Sequence, residues 1–170
     1  ERVRHHLAAA GVTAVPDPSR PLDHGAWVPL RSLFPGADLP VLQLSLPLAR
    51  NAHSLLALGR ALAPLRAEGV LLVASGGIVH NLRRLDWTSD TGPEPWAEAF
   101  EAWVERHVAT GTPTALVEGL PSAPARALAV PTPEHFDPLL VALGAAGAAP
   151  GRSVFQGWQH GSLSLRAWAW

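Results

Sequence analysis

Two short apolar runs, with a leucine-rich segment between them, dominate the hydrophobic pattern of the chain. The runs are Pro40–Leu46 and Val70–Ala74, and their lack of strict apolar–polar alternation is typical of strands covered on both faces. Between them, leucines recur at helical spacing from Asn51 to Glu68, and Gly69 follows as a helix stop. A strand, a helix and a strand in this order predict a βαβ unit with parallel strands and a right-handed crossover. We therefore expect an α/β fold, a single domain with a mostly parallel mixed sheet flanked by helices.

The rest of the chain contains further helical and extended patterns. Residues 83–95 read as a surface loop and residues 110–129 as irregular or weakly helical. The remaining predicted helices are Glu1–Ala10, a segment through Trp27–Leu33 with Asp23 as N-cap, Trp96–Ala109, and Glu134 to about Leu143 with Thr132 as N-cap and Pro133 at the first helical position. The remaining predicted strands are Val12–Val15 and the closing pair Ser153–Gln156 and Ser162–Trp168.

Composition excludes several classes of partner and site. The formal net charge is -1, and without a basic patch there is no support for nucleic-acid binding. No apolar run approaches the ~20 residues that a membrane helix needs. The chain has no cysteine, which excludes disulfides and thiolate metal sites and is compatible with a reducing cytoplasm, the expected location.

Histidine is the informative surplus, since 8 histidines occur in a chain without cysteine. Three of them lie at boundaries of predicted elements. His80 follows a strand and the Gly76-Gly77 pair, His24 stands at a helix entrance, and His135 lies in a first turn fixed by proline. Each has a functional interpretation, as a metal ligand or a proton carrier. Each also has a structural one, as a cap or a packed turn, and the residues alone leave both open.

Convergence of these three histidines would favour a metal site. The chain lacks a P-loop, a G-x-S-x-G elbow and an H-E-x-x-H helix, which argues against the chemistries that those motifs carry. Element boundaries on one edge of a parallel sheet can meet at a single site. Two or three neutral imidazoles suit a divalent first-row metal such as Fe(II) or Zn(II).

Five segments together resemble a known family. They are LDHGAWVPL, PVLQLSL, SGGIVHNL, PTPEHF followed by LLVALGAAG, and the closing GSLSL. In this order they are similar to the class III extradiol ring-cleavage dioxygenases of the LigB family, in the 4,5-DOPA dioxygenase-like (DODA) branch. The resemblance implies that residues 1–170 are the C-terminal part of a single extradiol dioxygenase catalytic domain.

The resemblance also implies roles for the three histidines. In the DODA-like branch the counterparts of His80 and His135 are ligands of a mononuclear non-haem Fe(II), with zinc found in some members. The counterpart of His24 lines the catechol pocket. Because relatives outside the branch use the counterpart of His80 as an acid/base, its role stays divided between ligand and proton carrier. The expected partners are a catechol-type substrate, O2 and a further copy of the chain in a homo-oligomer.

One departure from the family pattern concerns the N-terminal side. Members begin with a portion that carries two more ligand histidines, in GHG-type and SAHW-type segments, and neither segment occurs here. We therefore expect a missing N-terminal segment to complete the site, and the chain by itself to be inactive. Two alternatives remain: a zinc-binding hydrolase-like protein on the same fold, and a non-catalytic metal-binding module.

Overall fold

The computed structural model describes residues 1–88 and 92–170, so residues 89–91 of the predicted surface loop lie outside the described residues. Helices and two small antiparallel sheets make up these parts of the chain, which confirms the α/β class. The helices are α1 (Arg2–Ala9), α2 (His24–Leu33), α3 (Ala52–Leu62), α4 (Pro95–Ala109), α5 (Pro113–Gly119), α6 (Arg126–Ala129) and α7 (Asp137–Ala146). The strands are β1 (Arg152–Phe155), β2 (Trp158–Gln159), β3 (Leu163–Ser164) and β4 (Ala167–Ala169).

The predicted helices form because their local signals are strong. Asp23 caps α2 by accepting a hydrogen bond from the backbone N–H of Ala26 at 3.1 Å. Asn51 and Ser54 form a reciprocal capping box at the start of α3. After α3 the chain continues as a 3₁₀ turn over Ala63–Glu68 and ends at Gly69, as predicted. No helix in residues 1–88 and 92–170 is long and apolar enough to cross a membrane.

The core is centred on the crossing of α3 and α7, which make the most extensive helix–helix contact of the described residues. Gly59 and Gly144 face each other at the crossing, and a side chain on either would collide with the backbone of the other helix. Leu55, Leu140 and Leu143 are at most 2% exposed around this point. The absence of two side chains thus lets the helices approach closely and bury a continuous apolar interface.

The α7 region differs in detail from the prediction. Pro133–His135 form a 3₁₀ turn, and the α-helix begins only at Asp137. Thr132 does not cap the backbone; its hydroxyl donates to a carboxylate oxygen of Glu134 at 2.6 Å instead. The helix continues past Gly144 to Ala146, because Gly144 serves the contact with α3 and not a helix stop.

The predicted parallel sheet is wrong. The segments Pro40–Leu46 and Val70–Ala74 belong to no strand, and no ladder hydrogen bond joins them within the described residues. Each packs one side against the core, through Leu44, Leu46, Val70 and Leu72. The opposite side is exposed, at 64% for Leu42 and 67% for Leu71. The apolar pattern therefore predicted extended segments with two apolar faces, but strand pairing needs a partner that no local pattern specifies.

The other predicted strands have mixed outcomes. Val12–Val15 is not a strand. The closing pair is confirmed in part: Ser153–Gln156 corresponds to β1, but Ser162–Trp168 is divided into β3 and β4. β1 pairs with β4 and β2 with β3, both antiparallel, with an irregularity in the β1–β4 register between Ser153 and Phe155. The connecting turn has His160 and Gly161 both at positive φ, a backbone typical of a tight hairpin.

Candidate functional site

The turn formed by Gly76 and Gly77 packs against the backbone of His135. The backbone N–H of Gly77 donates to the carbonyl oxygen of His135 at 2.8 Å. A side chain on Gly76 would collide with the same carbonyl oxygen and would lie 3.3 Å from Pro138. The turn after Val70–Ala74 and the 3₁₀ turn before α7 are therefore held in close backbone contact.

His80 is held by the segment before the 3₁₀ turn. Its backbone N–H donates to the carbonyl oxygen of Ala129 at 3.0 Å. The neighbouring Asn81 is 6% exposed; its amide donates to the carbonyl oxygen of Leu128 at 2.8 Å, and its oxygen accepts the backbone N–H of Arg83 at 3.1 Å. These bonds fix the backbone from which the imidazole of His80 projects.

The two anchored turns bring His80 and His135 together. Their ring centroids lie 3.6 Å apart with an interplanar angle of 21°, so the imidazoles are stacked. The side chain of His135 keeps 35% of its surface exposed, and His80 is half-buried. The pair of imidazoles is thus partly accessible from solvent and is carried by two hydrogen-bonded backbone segments.

Burial favours the neutral imidazole of His80, the form that accepts a metal ion or a proton. Burial, together with the nearby positive charge of a protonated His135, lowers the pKa of His80, so its imidazole is held neutral. The hydrogen bond from Thr132 is the largest cause that lowers the pKa of Glu134. The carboxylate of Glu134 lies 3.9 Å from Nε2 of His135, which adds a negative charge at the rim.

His24 lies on a neighbouring element but not in the stacked pair. It is the first residue of α2 and is exposed, and its side chain makes no hydrogen bond or ring contact with any described residue. The start of α2 is nevertheless anchored near the glycine turn. The backbone N–H of Asp23 donates to Gln43 at 2.9 Å, and a side chain on Gly25 would lie 4.0 Å from the hydroxyl of Ser75.

The other histidines have structural surroundings that account for them. His6 contacts Glu68 at 2.6 Å, His107 contacts the hydroxyl of Thr112 at 3.1 Å, and the ring of His160 lies 4.5 Å from that of Trp87. His5 and His53 are exposed on helices.

The imidazole nitrogens of His80 and His135 are suitable ligands for a first-row metal, but two ligands are fewer than a complete site needs. Neutral imidazoles are common ligands of Fe(II) and Zn(II). Within residues 1–88 and 92–170, however, no group of three or more histidine, cysteine, aspartate or glutamate side chains could hold a metal ion. His80 and His135 could supply two ligands, and a complete site would need donors from outside the described residues.

Two residues of the site were missed from the sequence. Glu134 directly precedes His135, and Asn81 directly follows His80. The available signal was a polar residue beside each histidine, which is too common to assign a role. Only the folded chain shows that Asn81 spans two segments and that Glu134 faces the imidazole pair.

Comparison with known proteins identifies the family of this chain. A family profile described as the catalytic LigB subunit of aromatic ring-opening dioxygenase matches residues 1–165. The chain is 42% identical to a 4,5-DOPA dioxygenase extradiol of Beta vulgaris over 165 residues, covering 96% of this chain and 61% of the relative. It is also 42% identical to a 4,5-DOPA dioxygenase extradiol of Escherichia coli K12, covering 84% of this chain and 54% of the relative.

A solved structure is similar as well. It is the crystal structure of an uncharacterised protein from Escherichia coli K12, with a TM-score of 0.86 and 38% identity, covering 97% of this chain and 68% of that one. The chain spans 54% of the length of the Escherichia coli dioxygenase and 61% of that of the Beta vulgaris one. The chain therefore belongs to the LigB family, whose profile describes the catalytic subunit of aromatic ring-opening dioxygenases.

Proposed function

We propose that residues 1–170 are the C-terminal part of a single catalytic domain of an extradiol ring-opening dioxygenase that inserts O2 into a catechol-type substrate. The observation that carries the proposal is the proximity of His80 and His135, whose ring centroids lie 3.6 Å apart, in a chain of the LigB family. The relatives' names, which include 4,5-DOPA dioxygenase extradiol, favour this function over a zinc hydrolase or a non-catalytic module.

His80 and His135 would be the protein's metal ligands on this chain. Both present imidazole nitrogen, and burial helps to hold His80 neutral by lowering its pKa, as a ligand requires. The ion that the proposal assigns is Fe(II), with Zn(II) as an alternative occupant in the isolated protein. When bound, Fe(II) would supply the redox chemistry that lets an electron-rich catecholate react with O2, a task that Zn(II) does not perform.

A neutral histidine would take the proton from a catechol hydroxyl. His24 is one candidate because it is exposed at the start of α2, an element joined to the apolar segments through Gln43. His80 is the other candidate, because relatives outside the DODA-like branch use the counterpart of this residue as an acid/base. Deprotonation makes the catechol ring a better electron donor, and an imidazole with a pKa near the working pH performs this step efficiently.

A further polypeptide portion would complete the site. The relatives extend beyond the matched region, since only 61% of the Beta vulgaris protein is covered. Leu42, Leu71 and Val73 are 45 to 67% exposed on two extended segments whose backbone is unpaired within the described residues. Unpaired strand edges and apolar patches favour pairing with another strand. We assign this face to the N-terminal portion of the domain, which would also bring the remaining metal ligands.

The test is to express the longest reading frame that contains this chain and load it with Fe(II) without oxygen. A catechol such as DOPA is then added with O2, and oxygen uptake and the yellow ring-opened semialdehyde are followed. We expect activity in the parent protein and its loss in His80→Ala and in His135→Ala. The control His53→Ala removes an exposed helix histidine and should retain activity.

Two results would contradict the proposal. If both His80→Ala and His135→Ala retain the product, the assignment of the metal ligands is wrong. If the Fe(II)-loaded parent consumes no O2 with any catechol, the assigned reaction is wrong.

The cytoplasmic location and a homo-oligomeric state stay predictions, which fractionation and light scattering would test.

A further inference from the structure

The short helix α6 ends in carbonyl groups that receive their hydrogen bonds from another part of the chain. The last carbonyls of any helix lack a partner within the helix, and α6 consists only of Arg126–Ala129. The carbonyl oxygens of Leu128 and Ala129 accept hydrogen bonds from the segment that carries His80. That segment is therefore docked on the C-terminal end of α6.

The two bonds come from neighbouring residues and differ in kind. The backbone N–H of His80 donates to the carbonyl oxygen of Ala129 at 3.0 Å, a bond that almost any residue at this position could form. The bond to Leu128, at 2.8 Å, comes from the side-chain amide of Asn81 and so depends on the residue type. Asn81 is 6% exposed, which leaves water poorly placed to replace this bond.

The other end of the same amide fixes the chain that follows. The oxygen of Asn81 accepts the backbone N–H of Arg83 at 3.1 Å and caps the 3₁₀ turn over Leu82–Arg84. Asparagine carries a donor and an acceptor on one short side chain, and both are used here. Serine also caps helical turns, but its hydroxyl lies too close to the backbone to replace the longer reach of the amide to Leu128.

The end of α6 also leads directly to His135. From Ala129 the chain passes through Pro131 and Pro133 before it reaches this histidine, and each proline restricts the backbone. The carbonyl oxygen of His135 is held in turn by the backbone N–H of Gly77 at 2.8 Å. A shift of α6 against its docked segment would therefore change the separation of the two imidazoles, whose ring centroids lie 3.6 Å apart.

We propose that Asn81 is a positioning residue, which sets the separation of the His80 and His135 imidazoles by tying the segment of His80 to the end of α6. Asn81 acts through the backbone, because both ends of its amide bond to backbone groups. Its effect on metal binding rests on the proposed function, whereas its effect on the local backbone does not.

Three variants of the full reading frame test this role. Asn81→Ser keeps an oxygen that can cap the 3₁₀ turn and loses the bond to Leu128. Asn51→Ser is the matched control, because it makes the same substitution at the exposed N-cap of α3. Val108→Ala removes methyl groups from a fully buried position in α4 and so lowers stability in general.

Amide hydrogen exchange in the metal-free protein measures the local effect. Relative to amides at the α3–α7 crossing, the amide of His80 should exchange about 10-fold faster in Asn81→Ser than in the parent, because loss of the neighbouring bond eases local opening. Asn51→Ser and Val108→Ala should leave this ratio as in the parent. An unchanged ratio in Asn81→Ser would overturn the positioning role.

Zn(II) titration, followed by competition with a chromophoric chelator, measures the effect on the site without any reaction. Asn81→Ser should bind Zn(II) about 10- to 100-fold more weakly than the parent, as is typical when a partner that orients metal ligands is lost. Asn51→Ser and Val108→Ala should bind it like the parent. Equal affinity in Asn81→Ser and Val108→Ala would overturn the proposal, since Asn81 would then contribute only to stability. If the parent itself binds no Zn(II), the ligand assignment of the proposed function fails, and the exchange experiment alone decides on Asn81.

Discussion

Adding one methyl group to Gly76 should disturb the candidate site, whereas adding it to Gly77 should not. A Cβ on Gly76 would collide with the carbonyl oxygen of His135 and would lie 3.2 Å from the carbonyl carbon. A Cβ on Gly77 would lie 3.6 Å from the Cβ of His80, which is an ordinary contact. Neither glycine has a positive φ, so alanine is compatible with the backbone at both positions. The two variants therefore differ in the close contact that only the Gly76 side chain makes with the His135 carbonyl group and Pro138.

The magnitude follows from this contact. To relieve the collision in Gly76→Ala, either the glycine turn or the 3₁₀ turn over Pro133–His135 must move, and overpacking of this kind costs about 1–3 kcal/mol. Gly77→Ala keeps the hydrogen bond to His135 and should be neutral or gain ~0.4–1 kcal/mol from reduced freedom of the unfolded chain. We expect a difference of about 2 kcal/mol between the two variants, or a urea midpoint about 1 M lower for Gly76→Ala.

Urea unfolding followed by tryptophan fluorescence measures this difference. Under the proposed function, ring cleavage by the Fe(II)-loaded product of the full reading frame measures its effect on the site. Because productive geometry tolerates only about 0.5 Å of displacement, kcat/KM should fall at least ~10-fold in Gly76→Ala relative to Gly77→Ala. Unfolding free energies within ~0.5 kcal/mol of each other, with equal kcat/KM, would refute the view that this close approach positions the imidazole pair.

Three further predictions concern other contacts. Asn81→Ala should lower the free energy of unfolding by ~1–2 kcal/mol, because it leaves the carbonyl of Leu128 without the amide donor. The control is Asn51→Asp, an exposed position at which aspartate retains the capping role. A loss of stability in Asn81→Ala no larger than in this control would contradict the prediction. Glu101→Gln should cost ~2–3 kcal/mol in urea unfolding, because Arg166 is 3% exposed beside it and loses one of two charged partners, while the exposed Glu118→Gln should change little. Burial lowers the pKa of His107 in the folded chain. Its contribution to stability is therefore fully present above the ordinary histidine pKa of about 6.5 and is lost as pH falls through its lower pKa in the folded chain. His107→Asn should flatten that part of the stability–pH curve, and an unchanged slope would contradict the stated direction of the pH dependence.

Part of the site could be predicted from residue order. His80 and His135 are far apart in the chain, yet each follows a local signal, a glycine pair in one case and a proline-fixed turn in the other. These signals placed both histidines at element boundaries, and the structure stacks their rings. Their role as metal ligands stays a prediction. The ion pair of Arg50 with the buried Asp137 could not be predicted, because the two residues are far apart in the chain and meet only when α3 packs on α7.

Residue order alone specifies the helices, their caps and their ends, because hydrogen bonds between residues three or four apart and single residues such as Asp23 and Gly69 decide them. It also specifies that Pro40–Leu46 and Val70–Ala74 are apolar, whereas the prediction that they are strands is wrong. What these segments contact depends on the folded chain as a whole. One face packs on the core, the other is exposed, and neither segment pairs as a strand within the described residues. Pairing depends on a partner distant in sequence, and the free energy of such a contact leaves no local trace in the residue pattern.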